Sequence, residues 1–101
     1  MSFHLARPAR RELVRAIVWY NQQQEGLGDQ FLEAVRQAFQ RVTDHPETHP
    51  KEVSVRWRRE IRRCPVVGFP YQVIFDNRPQ EVFVLAVAHN ARRPGYWARH
   101  R

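Results

Sequence analysis

One cysteine, one lysine and no apolar run longer than seven residues are the scarcities that narrow the reading of this 101-residue chain. A single cysteine, Cys64, has no partner for an internal disulfide, which suits a reducing compartment. The longest apolar run, Val82–Ala88, is far too short to cross a membrane. The segment from Met1 to Pro8 lacks an apolar core of signal-peptide length. A soluble, cytoplasmic protein with no membrane association is therefore expected. Repeats and low-complexity stretches are missing too, and an apolar fraction of 43% argues against disorder. At this length the expectation is one domain, residues 1–101.

What the chain has in quantity is arginine. Its 17 basic side chains are all arginine except Lys51, and the formal net charge is +7. The charge is unevenly spread along the sequence. Residues 1–48 carry six arginines and six acids, whereas residues 49–101 hold the whole excess. A one-sided basic surface on a small domain favours an anionic partner, either nucleic acid or an acidic protein segment. Arginine's planar fork suits phosphates and carboxylates and stacks on bases.

The apolar pattern sets out the elements. Phe3 and Leu5 alternate with His4 and Ala6, a strand signal, and Pro8 suits the first turn of a helix. Ala9, Leu13, Ala16, Ile17 and Tyr20 then form one continuous helical stripe, predicting a helix to about Gln23. Residues 25–28 break it, and a second helix starts near Asp29, with Phe31, Val35, Ala38 and Val42 as its stripe, and stops at Pro46. Val53, Val55 and Trp57 alternate with Ser54, Arg56 and Arg58, so residues 53–64 are expected to be a basic strand region. Strands are also predicted over 69–76 and 81–88, joined by the hairpin turn 77–80. The fold class is α+β: a small antiparallel sheet, made of an N-terminal strand and a three-stranded meander, packed against an αα-hairpin in the order β-α-α-β-β-β. The free sheet face and the strand ends are expected to carry Arg62, His89, Arg92 and Arg93. A core strand that delivers His89, Arg92, Arg93, Tyr96 and Trp97 to one exit point reads as a site for an anion.

Five segments, in order, resemble the RelE/ParE superfamily, the toxin components of bacterial type II toxin–antitoxin pairs. They are the apolar Ala16–Tyr20 ending in Trp-Tyr, Gly26-Leu-Gly28 followed by Phe31, His45-Pro46 closing the second helix, Phe69-Pro-Tyr71, and the closing run from Leu85 through His89 to Trp97. The uninterrupted helical hairpin and the Leu-x-x-x-His ending are closer to the ParE-like branch. The resemblance implies a small sheet under a helical hairpin, a toxic protein neutralised by a cognate antitoxin, and either of two targets. ParE-type toxins act on DNA gyrase; RelE-type toxins cut messenger RNA on the ribosome. A non-toxic basic RNA-binding module is the third reading. None of the three calls for a cofactor, a metal or a small-molecule substrate.

For RNA cleavage the chain would need a base, an acid and cations around the phosphorane. The candidates are His89 and Tyr96 for proton transfer, with Arg62 and Arg92 as phosphate clamps. The lysine pairs of RelE-type enzymes are missing, and an arginine cannot surrender its proton to act as a base. The residues expected to meet a partner or a nucleic acid are Arg56, Arg58, Arg62, Arg63, Arg92, Arg93 and Trp97. His89 also has a simpler use, as a strand cap bonded to nearby backbone.

Overall fold

In the computed structural model, which describes residues 2–51 and 60–100, a helical hairpin lies across one face of a four-stranded sheet. The order is β1 (Ser2–Leu5), α1 (Arg7–Gln23), α2 (Leu27–Asp44), β2 (Ile61–Pro65), β3 (Tyr71–Arg78) and β4 (Glu81–His89), with short 3₁₀ helices at Pro46–Thr48 and Tyr96–Arg99. The expected α+β class and element order are both present. Of the basic strand region expected over 53–64, residues 53–59, with Arg56 and Arg58, lie outside the described residues, and residues 61–64 fall in β2.

Both helices form where the apolar stripe falls. Ala9, Leu13, Ala16 and Tyr20 are the buried positions of α1, and Gly28, Phe31, Val35, Ala38 and Val42 those of α2. Their crossing is close at Gly28. A Cβ there would sit 2.2 Å from the Ile17 carbonyl oxygen, so only glycine lets the helices approach this far. The Asn21 side chain of α1 accepts the Gly28 N–H at 2.7 Å, satisfying one of the donors that a helix start leaves open.

In space the strands run β1-β4-β3-β2. The meander β2-β3-β4 is antiparallel, but β1 joins β4 in parallel, so the sheet is mixed. Two antiparallel steps, β2 to β3 and β3 to β4, give β4 the direction of β2, so β2 also runs the way β1 does.

Residues paired across neighbouring strands share a face. Tyr71, Val73 and Phe75, with their partners His89, Val87 and Val84, therefore face one way. That side meets the helices, since the Tyr71 ring lies 4.9 Å from Phe31 and 6.2 Å from Tyr20. The pairs Gln72–Ala88 and Ile74–Ala86, with Arg63 opposite Ile74, face the other way. A bulge between Ile74 and Phe75, opposite Leu85, keeps this alternation consistent with burial of all of Val82–Ala88.

The far face corrects an expectation. It is not an open basic surface. Ile61, Ile74, Phe83, Ala86 and Ala88 are buried there, His4 stacks on Phe83 at 4.8 Å, and Trp97 is buried beside Ile74 and Ala88. Its arginines stand at the margin.

Candidate functional site

The site is built where β4 runs out. β1 accompanies β4 only as far as the Leu5–Val84 pair and the Ala6 N–H bond to the Val84 carbonyl. Beyond that point no strand among the described residues lies beside the outer edge of β4, and side chains take its place. Glu12 of α1 accepts the Val87 N–H at 3.1 Å, and the His100 ring meets the Leu85 carbonyl at 2.9 Å. The other oxygen of Glu12 accepts a short hydrogen bond from the Tyr96 hydroxyl. One carboxylate thus ties helix, sheet edge and C-terminal turn together.

The chain after His89 is folded tightly on itself. His89 Nδ1 accepts the Ala91 N–H at 3.0 Å, and the Arg92 N–H donates to the His89 carbonyl at 3.0 Å. A backbone donor on Nδ1 leaves the proton of the neutral ring on Nε2, which points away from the cap. Gly95, at φ +80°, takes a left-handed conformation that lets the next residues turn back as a 3₁₀ helix. Trp97 is 2% exposed and plugs this turn into the far face.

Two clefts flank the ridge formed by His89 and Arg92, which line both of them. On the far face, a cleft of about 310 Å³ has Gln72 and Ile74 in its floor and Arg63, Arg93 and Asn90 on its walls. On the helix side, a cleft of about 280 Å³ lies between α1 and the end of β4, walled by Arg15, Trp19 and Tyr71. Among the described residues, none of Arg15, Arg63, Arg92 and Arg93 is paired with a carboxylate. Arg92 lies over the Tyr96 ring at 4.1 Å, a cation–π contact that leaves its donors facing outward.

The candidate residues separate into those that reach this ridge and those that do not. His89, Arg92, Arg93 and Arg63 are together on it. Tyr96 is present as a wall, but its hydroxyl is committed to Glu12; burial first, then that bond and the Glu12 charge, push its pKa far above the tyrosine range. It does not reach a usable deprotonated state at neutral pH. Arg62 is elsewhere, on the helix-facing side opposite Phe75, with its side chain 12% exposed. It donates to Glu60 at 3.0 Å and to the carbonyls of Glu47 and His49 at 3.0 and 2.6 Å. Trp97 is core. Arg56 and Arg58 lie outside the described residues.

Glu12, Arg15 and Trp19 went unread in the sequence as site residues. Glu12 carried a usable signal: it is an acid one turn from Ala9 and Ala16, at the margin of a buried stripe, among four arginines of the same helix. Those arginines also divide the neutral N-terminal half. α1 has four arginines against Glu12, whereas α2 has Arg36 and Arg41 against Asp29, Glu33 and Asp44. The basic surface therefore continues from the sheet end onto α1.

Among the described residues, no group of three or more His, Cys, Asp and Glu is placed to hold a metal ion. None of the described helices is long and apolar enough to cross a membrane.

Comparison with known proteins agrees with this architecture. Residues 3–94 match the family model described as the ParE toxin of the type II toxin–antitoxin system parDE. Among solved structures, a chain of the chromosomal ParDE TA system from P. aeruginosa superposes with a TM-score of 0.62 at 16% identity, covering 88% of this chain and 95% of its own. At that identity the likeness speaks for the fold alone. The comparison with curated proteins found no match.

Proposed function

The chain belongs to the ParE toxin family of type II toxin–antitoxin systems, and on that premise we propose that it inhibits growth by binding DNA gyrase and is held silent by a cognate antitoxin. The observation that carries this reading is the combination at the end of β4: arginines with no carboxylate partner among the described residues, and no free acid–base pair beside them. A ribonuclease needs one group to take a proton and another to give one. Here the Tyr96 hydroxyl is given to Glu12, and Arg62 is spent on backbone carbonyls at the β2 corner of the sheet. Of the proton-transfer candidates only His89 keeps a free ring nitrogen, and a single imidazole flanked by cations supports docking better than strand cleavage. An inhibitor that works by occupying its target needs no chemistry of its own.

The antitoxin follows from the same electrostatics. Its contacting segment carries acids that meet Arg15, Arg63, Arg92 and Arg93, together with apolar side chains for the exposed Val14 and Val18 of α1.

Induced expression in a bacterium with pulse labelling tests the target. Early arrest of DNA synthesis with filamentation, and loss of gyrase supercoiling by the purified protein, are expected. Immediate arrest of protein synthesis with cut transcripts would instead establish the messenger-RNA nuclease, and unimpaired growth the non-toxic module. For the antitoxin, affinity should fall as salt rises; an affinity indifferent to salt would remove the electrostatic seam.

A further inference from the structure

The clefts on either side of the ridge are linked by His89 and Arg92, which line both. Cations follow this path from one face of the sheet to the other: Arg63 and Arg93 in the far cleft, Arg92 on the ridge, and Arg15 in the helix-side cleft. Among the described residues none of the four is neutralised by a carboxylate. Glu12, the only acid along the path among the described residues, has both oxygens engaged, one with the Val87 N–H and one with the Tyr96 hydroxyl.

At the α1 end of the path stands Trp19, 54% exposed, with its indole face open to a ligand. Its ring is not loose. Tyr20 meets it edge-on at 5.1 Å, while Arg15 and Ala16 share the cleft wall beside it. A braced aromatic plane at one end of an unneutralised arginine track is the combination that binds single strands: cations follow the phosphates and a flat ring stacks on a base, with little regard to sequence. An acidic peptide would use the cations equally well but has no need of a rigid indole face.

We propose that the two clefts and the ridge between them form one continuous site for a single-stranded polynucleotide, with Trp19 stacking on a base and Arg15, Arg92, Arg93 and Arg63 tracking the phosphodiester backbone. His89 Nε2, free of the strand cap, faces the strand where it crosses the ridge. This goes beyond gyrase binding and does not depend on it; a negative supercoiling assay leaves it standing.

The test is fluorescence anisotropy of end-labelled oligo(dT) and oligo(rU), each of about twelve nucleotides, within the length range such tracks hold. The full chain is titrated at several salt concentrations from about 50 mM upward. An oligoglutamate peptide of the same length is the control. The two oligonucleotides distinguish DNA from RNA, and binding of either supports the site. With four cations engaged, the logarithm of affinity should fall against the logarithm of salt with a slope of about −2 to −3. Arg93→Ala should flatten that slope by about 0.7. Trp19→Ala should leave the slope alone and weaken binding about tenfold. As the ring is half exposed, the variant should melt like the parent, and a melting curve checks this. Absence of binding by both oligonucleotides at low salt overturns the proposal, as does a Trp19→Ala variant that binds as well as the parent. Oligoglutamate binding as tightly as the oligonucleotides, with the same dependence on Trp19, would reassign the surface to an acidic protein segment.

Discussion

Two corners of one sheet use arginine in opposite ways. Beside β2, Arg62 is closed in: its guanidinium satisfies Glu60 and two backbone carbonyls of the 46–51 loop, and Asn77 donates to the same glutamate at 2.6 Å. Beyond β4, Arg92 and Arg93 end in solvent with no carboxylate paired to them among the described residues. Neighbouring residues divide between the corners, since Arg62 and Arg63 point to opposite faces of the same strand. A basic count therefore says little about a site. A cation already met within the chain is structural, and a cation left unmet is available to a partner. On the function proposed above, this contrast puts the partner surface at the β4 end and on α1, away from the β2 corner.

The contrast can be broken most severely at Trp97. It is the buried anchor under the C-terminal turn, so the open corner is preorganised only while it is seated. Trp97→Ala should destabilise the fold by about 3–5 kcal/mol, read from urea melting, as for other buried aromatics. A loss under about 1 kcal/mol would show that the turn rests lightly on the sheet, and that the open corner is not held in a single shape. A smaller and more pointed experiment pairs the two corners. Arg62→Ala orphans the carbonyls of Glu47 and His49 and should cost about 1–3 kcal/mol. Arg93→Ala should stay within about 0.5 kcal/mol while weakening partner binding. Equal stability losses from the two would erase the distinction.

The helices, the hairpin and the exit of His89 toward two arginines were legible because each rests on a local rule: stripe period, breaker residues, strand alternation. The parallel pairing of β1 was not, since strand direction depends on the path of the whole chain between Leu5 and Glu81. Alternation separated Arg62 from Arg63 but did not say which side the helices cover, and that choice decides which arginine is spent. Trp97 sits just after a Pro-Gly break, where no periodicity exists to mark it as core. Dividing the chain into halves concealed the basic α1 behind the acidic α2. The site was thus half visible: the β4 end could be read, whereas the contribution of Glu12, Arg15 and Trp19 from α1 exists only once the helix lies beside that strand.

The finest test of the contrast uses pH, because the open corner holds tyrosines with raised pKa values and the closed corner a glutamate with a lowered one, and the displacements have opposite consequences. At the open corner, Tyr96 is raised by burial and by Glu12, so the folded state keeps a proton that the unfolded chain releases near the ordinary tyrosine value of about 10. That stability is complete below about pH 10 and is lost as pH rises above it. Tyr96→Phe should flatten the alkaline limb of a stability–pH curve without abolishing it, because burial also raises Tyr20 and Tyr71. At the closed corner, Glu60 is lowered by its hydrogen bonds from Arg62 and Asn77, so its contribution is complete above the ordinary carboxylate value of about 4.3 and is lost as pH falls through its folded value. Glu60→Gln should flatten the acid limb and leave the alkaline limb untouched. Its effect at neutral pH should be below about 1 kcal/mol, because the side chain is 35% exposed and water screens the pair. If both substitutions altered the same limb, the corners would be electrostatically continuous, and the closed arginine could no longer be counted as removed from the binding surface.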